Sequence, residues 1–479
     1  MVQAATAPSD PPRRPVREKT ASAPTHEAEA KETEELGKRS VELARHFQGK
    51  IETVPHVPVR SLADFALWYT PGIAAVSRQI AADPESAFDL TGRWNTIAIV
   101  TDGSRILGLG DLGPAAALPV MEGKALLFKF LGGVDAIPIP LRVKSKEEIV
   151  ETVQRLAPAF GAVNLEDIAS PKCFYILEEL QKHLPIPVWH DDQLGTAAAT
   201  LAGLLNALQL TGRSIRTTRT VLLGAGAANI ATARLLKAAG QDMHRLTIVD
   251  HRGVLHAERE DLDELMLRNP WKYRLALQTE GGGRKGGLPE ALAEADVLLA
   301  ASTPDPRTVK PEWVRSMAKD PVVFALANPL PEIWPSAAHE AGAAVVATGR
   351  SDFPNQVNNS LIFPSVFRGI LDARARTITD EIVIAAAKEL AERAKVQGLT
   401  PHHLLPTMAE TEVFPHVAAA VGTRAVELGI ARHRLSHAEF LERAQVRMER
   451  THEVTHALMR TGLIPPMPDE PTRPQRRKR

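Results

Sequence analysis

The chain has 479 residues, 44% of them hydrophobic and 24% charged, a balance that suits a soluble globular protein of two or three domains. Its 57 basic residues are matched by 57 acidic ones, so no net field draws the whole molecule to nucleic acid or to an anionic membrane. A lone cysteine, Cys173, excludes an intrachain disulfide and fits a reducing compartment. No apolar stretch reaches the roughly 18 residues that span a bilayer, and the N-terminus has no signal-peptide core.

Residues 1–36 are rich in Ala, Pro, Thr and charge, with almost no large apolar side chains, and read as a disordered tail. A helical pattern fills 37–50, an extended stretch 54–59, and further helices 61–68 and 72–83. A strand is expected at 94–100, then the turn Thr101-Asp102-Gly103-Ser104 and a second strand at 105–109. Pro114 opens a helix running to 131, followed by a strand at 136–140 and a helix at 146–160. Short apolar runs at 161–165 and 186–189 read as two more strands. From 195 onward, strands expected at 220–223, 245–250, 297–301, 322–327 and 344–348 alternate with helices, the pattern of a parallel sheet covered on both faces. Residues 375–460 are helical in pattern, and the basic, Pro-containing end 461–479 reads as a solvated tail. No internal repeat is visible.

Two of these strands end in paired carboxylates. Asp191-Asp192 follows the strand 186–189 and stands directly before a helix of small residues beginning near Gly195-Thr196-Ala197. A lone Asp-Asp pair is most often a solvated loop. Here Glu166-Asp167 closes the preceding strand, one helix-like segment away, and two strand-end pairs can converge on one hard divalent cation.

Two glycine motifs compete for a dinucleotide. Gly108-Leu109-Gly110-Asp111-Leu112-Gly113 matches G-x-G-x-x-G letter for letter, whereas Gly224-Ala225-Gly226-Ala227-Ala228-Asn229 lacks the third glycine. The chemistry needs a strand before the turn, a helix after it, and a second strand ending in an acid for the ribose hydroxyls. Only the second motif has that setting, with Asp250 ending the next strand 26 positions after Gly224. Gly224, Gly226 and Ala227 would then let backbone N–H groups approach a pyrophosphate, and Asn229 in the third slot would loosen helix–strand packing. Asp250 favours NAD, while His251 and Arg252 favour the 2′-phosphate of NADP, so the sequence leaves that choice open. Gly108, Gly110 and Gly113 read as a tight loop lining a ligand cleft.

Eight motifs in one order resemble the malic enzymes, the decarboxylating malate dehydrogenases, in their compact bacterial form. They are WYTPG (68–72), VTDGSRILGLGDLGP (100–114), VMEGKALLFK (120–129), NLEDI (164–168), HDDQLGTA (190–197), the 224–229 turn, FALANP (324–329) and GRSDFPNQVNN (349–359). The resemblance covers about 40–440 and implies oxidation of L-malate at C2 with hydride transfer to NAD or NADP, loss of CO₂, and release of pyruvate. It implies Glu166, Asp167 and Asp192 as ligands of Mg²⁺ or Mn²⁺. Lys124 matches the family's catalytic lysine, oriented by Asp191, with metal charge and burial expected to lower its pKa. Tyr69 matches the tyrosine that protonates C3, and which of Lys124 and Tyr69 acts at each step stays open. Arg105, Asn328 and Asn359 match substrate-side residues, Asn328 also lying near the nicotinamide. Arg105 follows the larger eukaryotic members, since compact ones often have a small residue there. Leu194 replaces a common histidine, Trp189 a phenylalanine, and Leu330 a usual threonine.

The expected architecture is therefore α/β. A smaller N-terminal substrate domain (37–190) would precede a doubly wound Rossmann-type NAD(P)-binding domain (191–375) and C-terminal helices (376–460), with the metal between the domains. A cytoplasmic homodimer or dimer of dimers is implied by analogy, with L-malate as the partner and neither nucleic acid nor membrane. The rivals are a malolactic enzyme, which would release lactate, and a non-catalytic dinucleotide-binding regulator.

Overall fold

The computed structural model describes residues 26–468, so of the tails expected at 1–36 and 461–479 the parts 1–25 and 469–479 lie outside the described residues. By contacts the chain divides into a unit ending at Glu52 and a unit beginning at Thr53, which holds both sheets. In the first unit, helix α1 (His26–Phe47) starts well before the expected residue 37. Its sequence is short of apolar residues, which suggested disorder, but Glu, Ala, Lys and Leu are strong helix formers, and a Glu34–Lys38 pair at 2.6 Å spans one turn.

The second unit is built on two parallel sheets. In the first, β1 (Thr96–Thr101) lies between β2 (Asp135–Pro140) and β3 (Ala162–Leu165), with β4 (Val188–His190) beyond β3. All pairings are parallel, because helices return the chain between strands: α2 (Pro114–Gly132) after β1, α3 (Lys146–Leu156) after β2, and α4 (Lys172–His183) after β3. The expected strand at 105–109 is instead a turn, Ile106–Gly108. Leu107 at φ 45° and Gly108 and Gly110 at φ 77° and 99° cannot follow a strand, and Arg105 N donates to Asp167 O instead of to a neighbouring strand.

The second sheet uses β5 (Thr220–Leu223), β6 (Leu246–Asp250), β7 (Gly253–Val254), β8 (Val297–Ala300), β9 (Val322–Ala325) and β10 (Val345–Thr348) in the order β10-β9-β8-β5-β6-β7. Only the two-residue β7, not foreseen, is antiparallel. Strand order reverses at β5, between β8 and β6, which is where doubly wound sheets bind ligands.

Helix α5 (Thr196–Leu210) leads from the first sheet to the second and is buried on nearly every side, as an almost wholly apolar helix must be. Helix α6 (Ala227–Ala238) follows the glycine turn, and α7 (Pro270–Thr279), which the sequence reading missed, follows β7. Four C-terminal helices finish the fold: α8 (Phe363–Asp372), α9 (Asp380–Gln397), α10 (Val413–Glu427) and α11 (His437–Thr461). One apolar core joins both sides of the first sheet to one face of the second, taking Leu222 and Leu299, while Val221, Leu223 and Leu298 point into a separate core on the other face. No helix among the described residues is long and apolar enough to cross a membrane.

Candidate active site

Parallel pairing explains why the two carboxylate pairs meet. β3 and β4 run side by side with Leu165 opposite His190, so the residues just beyond them, Glu166-Asp167 and Asp191-Asp192, leave the sheet at the same edge. Asp167 takes a left-handed backbone at φ 53°, which Asp tolerates better than most residues, and its N–H donates to Asp192 Oδ2 at 3.0 Å. Asp191–Gly195 forms one π-helical turn. A Cβ on Gly195 would fall 2.1 Å from Asp191 Oδ1 and 2.9 Å from Asn359 Cβ, so this turn requires glycine and packs Asn359 beside it.

Helix α2 brings Lys124 to this edge. Its Nζ lies 2.5 Å from Asp191 Oδ2 and 2.9 Å from Glu166 Oε1, with the Phe363 ring centroid 4.2 Å away. Lys124, Glu166, Asp167 and Asp191 are all buried, and Asp191 has no exposed surface. Two supports escaped the sequence reading: Trp189 Nε1 donates to Asp191 Oδ1 at 2.9 Å, and Asn164 Nδ2 donates to Glu166 Oε2 at 2.9 Å. Trp189, noted only as a departure from phenylalanine, supplies a donor that phenylalanine lacks.

The electrostatics are those of crowded anions. One ammonium faces four carboxylates. Burial pushes Glu166 well above the ordinary carboxylate range, and Asp191, Asp192 and Asp167 add to the shift against Lys124. Burial and Asp192 raise Asp167 to about 7. For Lys124, burial pulls downward, but Asp191 and Glu166 outweigh it and the net shift is upward. The expected lowering of Lys124 is therefore not met by the protein's own groups: two anions hold the proton on Nζ. Asp167 Oδ2 is buried with no hydrogen-bond partner among the described residues.

The glycine turn also forms as expected. Gly224 (φ 98°) donates to Val249 O at 2.8 Å, and a Cβ there would meet Ala301 O at 2.4 Å, at the junction of β5 and β8. At Gly226 nothing lies within 4 Å of a Cβ position, and Ala227 opens α6. Asn229 does not loosen the packing. Its buried Nδ2 donates to Leu223 O at 2.8 Å and Gly224 O at 3.0 Å, tying helix to strand end.

Asp250 ends β6, but its carboxylate is engaged on both oxygens. Arg259 Nη1 and Arg252 N each lie 2.9 Å from Oδ1, and Lys272 Nζ lies 2.5 Å from Oδ2. Burial pushes Asp250 up, yet Lys272 and Arg259 more than offset it and hold the carboxyl below its ordinary range. These two cations, 9 and 22 positions away, left no signal in the sequence.

The other expected residues are placed less tightly. Gly108 faces Asn328 across 3.5 Å from its Cβ position to Asn328 O, so the first glycine loop reaches the end of β9. Asn328 is exposed and followed by a cis bond to Pro329. Arg105 is pinned through its backbone to Asp167 while its side chain stands exposed. Tyr69 is 68% exposed and is not gathered into the buried cluster.

Comparison with known proteins identifies the family. Residues 48–149 match the family model described as "Malic enzyme, N-terminal domain" and residues 194–426 the one described as "Malic enzyme, NAD binding domain". The chain is 47% identical to the NAD-dependent malic enzyme of Geobacillus stearothermophilus over 81% of its length and 79% of the relative's. It is 45% identical to the bifunctional malic/malolactic enzyme of Bacillus subtilis (strain 168), covering 86% of this chain and 98% of that one. The crystal structure of the Entamoeba histolytica malic enzyme superposes with a TM-score of 0.90 at 40% identity, covering 94% and 93% of the two chains. The chain belongs to the malic enzyme family.

Proposed function

We infer that the protein catalyses the oxidative decarboxylation of L-malate to pyruvate and CO₂ with reduction of a nicotinamide dinucleotide. The observation that carries this reading is Lys124, buried and clamped between Glu166 and Asp191 at the edge that also bears Asp167 and Asp192. A divalent ion fits the residues present. Among the described residues Asp167 Oδ2 is a buried acceptor without a donor, and both Glu166 and Asp167 are held up by burial and by crowded negative charge, the second of which a cation relieves. Among the described residues no three carboxylates stand already spaced as a closed metal cage, so Glu166, Asp167 and Asp192 would draw together around the ion. All-oxygen ligation suits Mg²⁺ or Mn²⁺, and such an ion, when bound, supplies Lewis-acid polarisation of the C2 oxygen.

The chain's own groups do the rest. Lys124 Nζ, once it has given up its own proton, accepts the proton of the C2 hydroxyl as a neutral amine, and Asp191, fixed by Trp189, keeps Nζ aimed. With Glu166 committed to a cation, Lys124 retains one anionic partner instead of two, so its proton is held less tightly. Arg105 would grip a malate carboxylate, with Asn328 and Asn359 supplying amide groups. Gly224, Gly226, Ala227 and Asn229 build the pyrophosphate turn. Asp250, His251 and Arg252 leave NAD and NADP as alternatives.

Tyr69 supplies the C3 proton in this reading, which requires its exposed segment to be covered. Leu62, Phe65, Leu67 and Trp68 are exposed on the same stretch, apolar surface that supports a homodimer or dimer of dimers. A cytoplasmic location fits the single, buried cysteine. The proposed division of the chain remains a substrate domain at 37–190, a Rossmann domain at 191–375 and C-terminal helices at 376–460.

The test is purified protein with L-malate and Mn²⁺, with NAD⁺ and NADP⁺ in parallel, reading reduced nicotinamide and then pyruvate. Reduction matched by pyruvate and abolished by chelator supports the reading. Lactate without net reduction would favour the malolactic alternative, to which the similarity with the bifunctional Bacillus subtilis enzyme gives weight. Absence of both products from folded protein contradicts it.

A further inference from the structure

A second cleft opens on the far side of the π-helical turn. Its volume is about 200 Å³, and it lies between α4, which packs on the first sheet, and helices α6 and α7 of the second. Phe174 and Trp271 stand with ring centroids 5.1 Å apart across this junction, and Trp271 Nε1 donates to Glu178 Oε1 at 2.6 Å. Ile230 and Leu275 add apolar surface.

The rim is cationic. Arg234 is paired with Asp380 at 3.0 Å. Lys237 meets only the Gln278 amide oxygen, at 3.1 Å, and Arg274 lies over the Trp271 ring at 5.9 Å; neither meets a carboxylate among the described residues. Against the single Glu178 carboxylate, already engaged by Trp271, these two free cations leave a net positive rim. Gln193 also lines the cleft. It is 2% exposed, and its Nε2 has no hydrogen-bond partner.

We propose that this cleft binds a small aryl monocarboxylate, its ring against Phe174, Trp271 and Ile230 and its carboxylate at Lys237 and Arg274. Aromatic walls favour a flat ring, two unpaired cations favour one carboxylate, and the volume falls below the roughly 300–1,000 Å³ of drug-sized sites. Nothing in this cleft belongs to the malate site, but Gln193 sits next to Asp192 in the turn that also carries Asp191. An occupant would touch both sheets' helices and the catalytic turn at once.

The probe is 4-fluorobenzoate, followed by ¹⁹F line width in a titration with the full-length protein. That readout does not depend on turnover, so a chain inactive towards malate still answers it. Saturable binding is expected, weakened at least tenfold in the double variant Lys237→Ala/Arg274→Ala, at least tenfold weaker for neutral 4-fluorobenzyl alcohol, and undisturbed by excess L-malate. Should the double variant fail to fold, Lys237→Gln alone, at an exposed helix position, is expected to weaken binding at least threefold. No saturable binding within the probe's solubility, equal binding of the alcohol, displacement by malate, or unchanged affinity in the folded variants would each overturn the proposal.

Discussion

Both sheets end in carboxylates at their carboxyl edges, and the two edges treat them in opposite ways. At the end of β3 and β4, four carboxylates share one ammonium, and Glu166 and Asp167 are pushed upward. At the end of β6, Asp250 alone is held by Lys272, Arg259 and a backbone N–H, and it is pushed downward. Burial pushes all three carboxyls upward, so the sign of the net shift is decided by the balance of neighbouring charge. An edge with surplus anion is poised to take a cation, whereas an edge with its anion neutralised has no surplus charge to offer one.

The comparison can be broken most severely at Lys124. Lys124→Ala removes both the proposed proton acceptor and the ammonium that pairs with Glu166 and Asp191, and kcat should fall by about 10²–10⁴-fold. Dinucleotide affinity, read by fluorescence titration, should hold, because the 224–229 turn is built separately. A regulator without catalysis would show no such split.

Asp250→Asn tests the neutralised edge. The variant leaves the buried cation Lys272 without its anion, while Arg259 keeps its two-pronged pair with Asp261, and stability at pH 7 should drop by about 1–3 kcal/mol. Because the folded carboxyl lies below its ordinary pKa, its contribution is present above about pH 4 and is lost as pH falls through the lowered value. Melting curves should thus separate wild type from variant at pH 7 and converge in acid. A gap that widens in acid would reverse the assignment.

The smallest change sharpens the first edge. Trp189→Phe keeps the apolar bulk and deletes one donor to Asp191, costing about 1 kcal/mol. A fall of a few-fold to tenfold in kcat with KM nearly unchanged is expected, and restoring the donor with Trp should recover it. An equal loss of stability and no change in kcat would leave Trp189 as packing alone.

How much of this was legible beforehand follows from what each feature depends on. Alternation of apolar strands and helices placed both sheets, and the setting of Gly224, not its spelling, singled out the turn that lies between β5 and a helix where strand order reverses. The strand expected at 105–109 failed because its apolar letters conceal left-handed residues at Leu107 and Gly108. The helix at His26 was hidden by low hydrophobicity. Charge balance was beyond reach. The upward shift of Lys124 depends on Asp191 and Glu166, and the downward shift of Asp250 on Lys272 and Arg259, partners fixed only when the chain folds. Asn229 likewise looked like a lost glycine until its side chain was seen to bond the end of β5.

The most direct measurement is a Mn²⁺ titration of metal-free protein by electron paramagnetic resonance, comparing wild type with Asp192→Asn and Asp250→Asn. The account expects one tight site per chain in wild type, weakened by more than the roughly 10–100-fold typical of losing an outer-shell partner in Asp192→Asn, and unchanged in Asp250→Asn. No tight site in wild type, or equal loss in both variants, would contradict the claim that only the first edge is built to receive a cation.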